Sequence, residues 1–204
     1  MHPNQAFRAP GRDANLAFAA ARGFGVLTVS GPDGPLAAHV PFILDGPHWE
    51  AHLLRSNPVY RALEAPLPAL VIVSGPDGYV SPDWYETPDQ VPTWNYIAVH
   101  LRGTLRRLDP DGILAHSARL SAQFEGRLEK RPWTLDKMSD GVAARMARAI
   151  APVALYISSV EGTWKLNQNK DDAARHAAAA HIDETQGQEL GALGALMRTP
   201  PRTD

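Results

Sequence analysis

The end of one predicted strand gathers side chains that are suited to bind a phosphate. The run HWEAHLL, residues 48–54, leads directly into Arg55, Ser56 and Asn57. A guanidinium group and a hydroxyl group bind phosphate oxygens, and a helix capped by Asn57 would add the N–H groups of its first turn. Arg61, one turn into that helix, can point the same way. Taken alone, an arginine before a helix cap is more often a solvated surface residue.

The same strand carries three side chains of the types that ligate metal ions. His48, Glu50 and His52 alternate along it and therefore face one side. Two histidines and a carboxylate at this spacing are common, and a strand seldom brings three ligands to one ion without help. We therefore expect no metal site, and we place His52 beside the ligand held at Arg55.

Another predicted strand contains a proline that interrupts its hydrogen bonding. His39, Val40, Pro41 and Phe42 follow one another within it. Because Pro41 has no N–H, the ladder has a gap at this point and leaves backbone groups exposed. From the residues alone, an edge strand with an incidental proline is the simpler explanation.

Half of the Trp and Tyr residues lie in one short segment. Three prolines between residues 81 and 92 make the middle of this segment a stiff loop between two strands. Rings on a stiff loop suit a flat ligand or a partner subunit. The alternative is that they pack on the protein's own sheet. The five aromatic residues are Tyr79, Trp84, Tyr85, Trp94 and Tyr96.

Three stretches together resemble one known family. They are VSPDWYETPDQVPTWNY at 80–96, AAHVPFIL at 37–44 and EGTWKLNQNKDDAAR at 161–175. In these stretches the chain is similar to the PaiB-type FMN-binding proteins, a branch of the flavin-binding split-barrel proteins related to pyridoxamine phosphate oxidase. The resemblance implies an FMN-binding split β-barrel with FMN as its cofactor.

The resemblance also implies roles for particular residues. Arg55 and the two residues after it would hold the FMN phosphate, and the strand around Pro41 would lie along the flavin ring. Amides and a cation in the WKLNQN run would bond the polar edge of the ring, where positive charge stabilises the anionic reduced flavin. Alternatively, Asn169 caps the next helix and the rest of the run is solvated. The family has serine where this chain has Asn167, which keeps a polar side chain. The expected cofactor-binding residues are His39, Val40, Pro41, Phe42, His52, Arg55, Ser56, Asn57, Trp94, Asn95, Trp164, Lys165, Gln168 and Asn169.

Length and composition favour one domain and argue against several functions. We expect a single split-barrel domain over residues 1–204, with a helical extension from about 170. A net charge of −2 creates no general field that attracts nucleic acid or an anionic membrane. Without cysteine there is no thiolate nucleophile and no cysteine-ligated metal. No apolar run approaches the ~20 residues of a membrane helix, and the cytoplasm is the simplest location.

The remaining pattern predicts a mainly β protein with peripheral helices, an α+β fold built on a small antiparallel barrel of about six or seven strands. Two GPDG sequences, at 31–34 and 75–78, are expected to form turns. One helix is expected to follow Asp13 as its cap, and others to follow Asn57 and Asp109. A further helix is expected to run through Met146 and Ile150. The expected apolar faces comprise Leu16, Ala17, Ala20 and Ala21 near the start, and Leu190, Leu193, Leu196 and Met197 near the end.

Three functions remain open from the sequence. The first is an FMN-binding homodimer whose flavin lies between subunits, against the strand at 39–42 and the partner's aromatic loop. Whether such a protein acts as an FMN-dependent oxidoreductase stays open, because flavin chemistry needs a substrate pocket that the sequence does not define. No dedicated catalytic acid or base is visible either. The second is a negative transcriptional regulator, as PaiB-type proteins are described, but no helix-turn-helix or basic recognition helix supports specific DNA binding. The third is a split barrel that has lost flavin or holds haem at a dimer interface.

Overall fold

In a computed structural model that describes residues 1–8 and 10–201, the described chain forms one seven-stranded sheet and six α-helices. The strands are β1 (Phe24–Gly31), β2 (Gly34–Asp45), β3 (His48–Leu54), β4 (Leu67–Val80), β5 (Thr93–Arg107), β6 (Ile150–Lys165) and β7 (Gly187–Gln188). The helices are α1 (Arg12–Arg22), α2 (Pro58–Ala62), α3 (Ile113–Glu125), α4 (Val142–Ala147), α5 (Asp172–Ala180) and α6 (Leu190–Arg198).

The strands follow the order β1-β2-β3-β6-β5-β4-β7 in the sheet. β1 also pairs with β4 in antiparallel register, with Val26 opposite Ile72 and Val29 opposite Ala69. This extra pairing joins the two ends of the six-strand run from β1 to β4, which is the pairing pattern of a barrel. The expected mainly β fold with helices, of the split-barrel type, is confirmed.

Pro41 lies where β2 changes its partner. Residues 34–41 of β2 pair with β1, and Phe42–Asp45 pair with β3. Phe42 donates its backbone N–H to the carbonyl oxygen of Gly23 at 2.8 Å, just beyond the β1 register. The missing N–H of Pro41 therefore falls at a junction between two ladders, where a proline is tolerated in a strand.

The chain forms two compact units, each with its own buried residues. In the first unit, Tyr85, Trp164 and Leu166 pack with residues of α5 and α6. In the second, Phe42 and Trp49 are fully buried, with ring centroids 5.6 Å apart. The single domain expected from the chain length stays a prediction. The first unit comprises residues 1–18, 73–100 and 160 onward, and the second comprises residues 19–72 and 101–159.

The second GPDG sequence is not a turn, so that prediction was wrong. Residues 75–78 lie inside β4, whereas the first GPDG does connect β1 to β2. A Cβ on Gly75 would come within 2.6 Å of the Phe18 ring and 2.9 Å of Ile97 Cβ. This glycine permits close packing of neighbouring side chains on the strand, rather than a reversal of the chain.

Two helix boundaries also differ from the sequence pattern. Asp13 lies inside the first turn of α1, where its charge still complements the helix dipole, and the buried residues of α1 are Asn15 and Ala19 while Ala17 is exposed. Ile150 does not belong to α4 but opens β6, because it pairs opposite Leu54 of β3.

Two other helices match their patterns. α2 starts at Pro58 with Asn57 as its cap, as the sequence predicts. In α6, Leu193 and Met197 are fully buried and belong to the core of the first unit, while Leu190 and Leu196 are half-buried.

Candidate functional site

Two arginines line one cavity at the end of β3. Arg55 follows the last residue of the strand and donates its Nε–H to the carbonyl oxygen of Arg148 at 3.0 Å, while its backbone N–H donates to the carbonyl oxygen of Ala149 at 2.9 Å. Both arginine side chains are exposed, so two guanidinium groups are available to an anion. The cavity of about 270 Å³ is lined by Arg55, Pro110, Asp111, Ile113, Leu114, Ala144, Ala147 and Arg148.

The start of α2 offers fewer donors to an anion than the sequence predicts. The side-chain oxygen of Asn57 accepts the backbone N–H of Val59 at 2.9 Å, and Pro58 has no N–H to give. The helix is only five residues long. This helix start therefore offers fewer free N–H groups than expected, and the side chains of Arg55, Arg148 and the exposed Ser56 are the main candidate donors to an anion.

Arg148 is a candidate binding residue that the sequence pattern did not single out. It lies 93 positions after Arg55, directly after α4, in a segment without a recognisable motif. No local signal could have identified it, because only the pairing of β3 with β6 brings the chain after α4 to the end of β3.

A cluster of titratable side chains links β3 to α3. Nδ1 of His52 lies 3.2 Å from Nε2 of His116, and Nδ1 of His116 lies 3.6 Å from Oε2 of Glu50. Arg119 forms an ion pair with the same carboxylate. His116 is only 3% exposed, and it too was missed from the sequence. Among the described residues, no group of His, Asp and Glu is arranged to hold a metal ion.

Burial sets the protonation of this histidine pair. It lowers the pKa of His52 below its usual value. It also lowers the pKa of His116, where repulsion from a charged His52 adds to the effect and the nearby Glu50 carboxylate opposes it. Both rings are therefore neutral near pH 7, and the pair can accept a proton.

The strand at 39–42 turns alternate side chains to the surface. His39 is exposed and Pro41 is half-buried, whereas Val40 and Phe42 point into the core. The backbone N–H of Phe42 is bonded to Gly23, and its carbonyl oxygen accepts Nε2 of Gln123 at 3.0 Å. Of the four predicted residues, His39 and Pro41 are thus the ones whose side chains reach the surface.

The aromatic segment divides into buried and exposed rings. Tyr85 is 2% exposed and donates its hydroxyl to Oδ1 of Asn167 at 3.2 Å, and Trp84 stacks on the His181 ring. For these two rings the packing alternative holds. Trp94, by contrast, is 42% exposed and contacts the Tyr79 ring edge-on. These two rings line a cavity of about 420 Å³ with Glu184, Thr185 and Gln186.

The polar groups of the WKLNQN run are largely used within the chain. The indole N–H of the buried Trp164 donates to Oδ1 of Asn15 at 2.9 Å. The Gln168 side chain accepts the backbone N–H of Leu166 at 2.8 Å and donates to the Trp164 carbonyl oxygen. Lys165 bonds the Thr93 hydroxyl, and burial lowers its pKa.

Asn169 is not the cap of the following helix. It is exposed, and the side chain of Asp171 instead accepts the backbone N–H of Ala174 at 2.8 Å at the start of α5. The carboxylate two residues later therefore makes the capping bond that the sequence pattern assigned to the amide.

Asn95 is a buried residue whose side-chain amide lacks hydrogen-bond partners. It is fully buried, and neither its amide nitrogen nor its amide oxygen has a hydrogen-bond partner in the described chain. A buried amide without partners costs free energy. The polar edge of a flavin carries both donors and acceptors and would satisfy such a group. The unpartnered amide of Asn95 and, separately, the pair of guanidinium groups at Arg55 and Arg148 are each of a chemical type that FMN can bind.

Comparison with known proteins also indicates a flavin-binding protein. Over residues 1–159, the chain matches the family described as "Putative FMN-binding domain". Since this match spans most of the chain, the protein belongs to that family. The match confirms FMN as the cofactor, and it ends before the WKLNQN run.

Individual proteins of similar sequence or fold are consistent with the family match. The chain is 27% identical over 178 residues to the protease synthase and sporulation protein PAI 2 of Bacillus subtilis, covering 85% of each protein. The resemblance to PaiB-type proteins is thereby confirmed. The fold is similar to the FAD and heme binding protein from Mycobacterium smegmatis, with 19% identity, a TM-score of 0.57 and coverage of 78% of this chain and 73% of that one. It is also similar to the flavocytochrome Anf3 from Azotobacter vinelandii, with 16% identity, a TM-score of 0.59 and coverage of 80% and 72%.

The described helices are too short or too polar for a membrane span.

Proposed function

We propose that the protein binds FMN with the phosphate between the guanidinium groups of Arg55 and Arg148. The observation that carries this proposal is the placement of two exposed arginines, from distant parts of the chain, on one cavity at the end of β3. Ser56 adds a hydroxyl beside them. A phosphate dianion bound by two guanidinium groups gains charge-assisted hydrogen bonds that a neutral ligand cannot form. The flavin, when bound, supplies redox chemistry, and the chain's residues bind and orient it.

We propose further that the protein is a homodimer in which the flavin ring lies against the strand at 39–42 of one subunit and Trp94 of the partner. Trp94 is 42% exposed and Val91, in the same segment, is 73% exposed. A symmetric pair buries such a patch twice. Asn95, Lys165, Gln168 and Asn169 stay predicted contacts, as do His39 and Pro41.

FMN titration of an Arg55→Ala variant tests the phosphate site. The affinity for FMN should fall by about 1.5–3 kcal/mol, the range for a hydrogen bond to a charged group. Riboflavin lacks the phosphate, so its affinity should be equal in the variant and the unaltered protein. Arg131→Ala removes an exposed charge elsewhere and serves as the matched control. Equal FMN affinity in Arg55→Ala and the control would show that the phosphate binds elsewhere.

Sedimentation of a Trp94→Ala variant tests the dimer. The substitution should weaken both self-association and flavin retention, because the ring belongs to the shared surface in this proposal. The control is Trp133→Phe, an exposed ring outside the aromatic segment. A monomer that still holds one FMN per chain would contradict the shared site.

Haem binding is the second candidate, favoured by the two structural relatives named for flavin together with haem or a cytochrome. An absorption spectrum of the purified protein separates the possibilities. We expect the bands of oxidised flavin, and a Soret band would instead indicate haem.

A regulatory role is the alternative supported by the similarity to PAI 2. With a net charge of −2, any duplex binding should be weak, insensitive to sequence and steeply reduced by salt. Competition between promoter and scrambled duplexes measures this, and a preference of roughly a thousandfold would establish specific binding. We propose the cytoplasm as the location.

A further inference from the structure

The Glu50 charge favours one arrangement of protons in the cluster of Glu50, His116 and His52. Nδ1 of His116 lies 3.6 Å from Oε2 of Glu50, which is longer than a hydrogen bond, but the negative charge of the carboxylate favours the proton of the neutral His116 ring on this nitrogen. Nε2 of His116 is then an acceptor, and Nδ1 of His52 must donate to it across 3.2 Å. This leaves Nε2 of His52 as an unprotonated acceptor at the outer end of the chain of bonds.

A positive charge gained at Nε2 of His52 can be transferred to the His116 ring. When a bond forms between a proton and Nε2 of His52, the proton on Nδ1 can move to Nε2 of His116. The positive charge then resides on the buried ring next to Glu50, and His52 is neutral again. Because one proton occupies the bond between the rings, the pair accepts one proton as a unit.

The charges around the pair favour this transfer. Glu50 faces it from β3 and stabilises a cation on His116, while Arg119 from α3 holds the carboxylate in place and opposes that cation. On the neighbouring strand β6, the residues opposite His52 and Glu50 are Pro152 and Ala154, which carry no charge. The Glu50 carboxylate is therefore the group that stabilises the protonated form of the buried histidine pair.

The cluster and the cavity with the two arginines are built from residues of the same two elements. Ile113 of α3 lines this cavity, and His116 lies three residues further along the same helix, so both face one side. On β3, His52 precedes Arg55 by three positions at the strand end. The relay and the cavity thus share the end of β3 and the first turns of α3.

We propose that Glu50, His116 and His52 form a proton relay in which Nε2 of His52 takes up a proton when a phosphate monoester or a similar oxyanion occupies the cavity of Arg55 and Arg148. The proton comes from water or from a singly protonated phosphate, whose O–H bond breaks as the N–H bond of His52 forms. The added positive charge next to the cavity strengthens anion binding. This inference rests on the proposed phosphate site.

Histidine tautomers in the ligand-free protein test the relay directly. Long-range proton–nitrogen spectra at about pH 8 should show both rings protonated on Nδ1, whereas an exposed histidine favours Nε2. His52→Gln and His116→Gln assign the signals, and His176→Gln, at an exposed helix position, is the control. A proton on Nε2 of His52 would overturn the relay whether or not FMN binds.

Removing the carboxylate tests its role in the relay. In Glu50→Gln the pair should be harder to protonate, so its shared titration should move to lower pH. Two independent titrations that do not change in Glu50→Gln would also overturn the proposal.

Sulfate tests the coupling to the cavity, because it remains a dianion between about pH 6 and 8 and its own protonation does not interfere. Adding sulfate should move the titration of the pair to higher pH, and sulfate affinity should rise several-fold from pH 8 to 6. In Arg55→Ala both effects should vanish while the ligand-free tautomers persist. If FMN binding depends on Arg55 but sulfate leaves the pair unchanged, the coupling is wrong and the phosphate site stands. If FMN binding does not depend on Arg55, the phosphate site itself is wrong.

Discussion

The end of β3 and the WKLNQN run are both rich in polar groups, but they use these groups differently. At the end of β3, Arg55 and Arg148 keep exposed guanidinium groups on a cavity. In the WKLNQN run, the indole of Trp164 and the amide of Gln168 are bonded to other groups of the chain. The family match covers the first region and ends before the second.

The comparison separates polar groups that are exposed on a cavity from polar groups that already have partners within the chain. An amide or indole that already has a partner in the folded chain must break a bond to meet a ligand, which cancels much of the gain. The exposed Arg148 guanidinium group gives up only water, and that of Arg55 can keep its Nε–H bond to the Arg148 carbonyl oxygen while its other N–H groups meet a ligand. We therefore expect substitutions at the end of β3 to affect ligand affinity, and substitutions in the WKLNQN run to affect stability first.

The largest effect should come from Trp164→Ala. The side chain is buried in the core of the first unit, so its loss should lower the free energy of unfolding by about 3–5 kcal/mol. Urea denaturation measures this, with Trp94→Ala as an exposed comparison. A Trp164→Ala protein of normal stability that no longer binds FMN would reverse the distinction between the two regions.

Arg148→Ala tests the other region, the end of β3, where a substitution should affect ligand affinity rather than stability. FMN affinity should fall by about 1.5–3 kcal/mol while the free energy of unfolding changes little, because the exposed side chain loses only its contact to the phosphate. Arg145→Ala, an exposed arginine in the same helical segment, is the control. If both variants bind FMN equally well, Arg55 acts without Arg148.

The smallest expected effect is the change of the free energy of unfolding with pH. Burial holds the pKa of His52 and His116 below the usual value, so the unfolded chain takes up protons first as the pH falls through about 6.5. The stability from this pair is therefore present above that pH and lost below it. Unfolding measured from pH 7.5 to 5.5 should show this decline, with a flatter slope in His116→Gln than in the unaltered protein. Identical slopes in the two proteins would assign the decline to other groups.

The sequence alone determined features whose cause is local. The cap at Asn57 with Pro58 after it, the turn at residues 31–34 and the strand alternation of β3 all follow from neighbouring residues, and the structure confirms them. The position of Arg55 between a strand end and a helix start was predictable for the same reason, because both boundaries are visible within a few positions, and the anion site there stays a prediction.

Only the tertiary structure decided which distant residues join these local features. Arg148 reaches Arg55 across 93 positions, and His116 reaches His52 across 64, through the β3–β6 ladder and the packing of α3. The two GPDG sequences show the same limit. The first forms a turn, in which Gly34 has a φ of +129° and open space around it, while Gly75 in the second lies against Phe18 and forms part of a strand. Four identical residues have the same local preference, and the contacts that decide between a turn and a strand come from side chains far away in the chain.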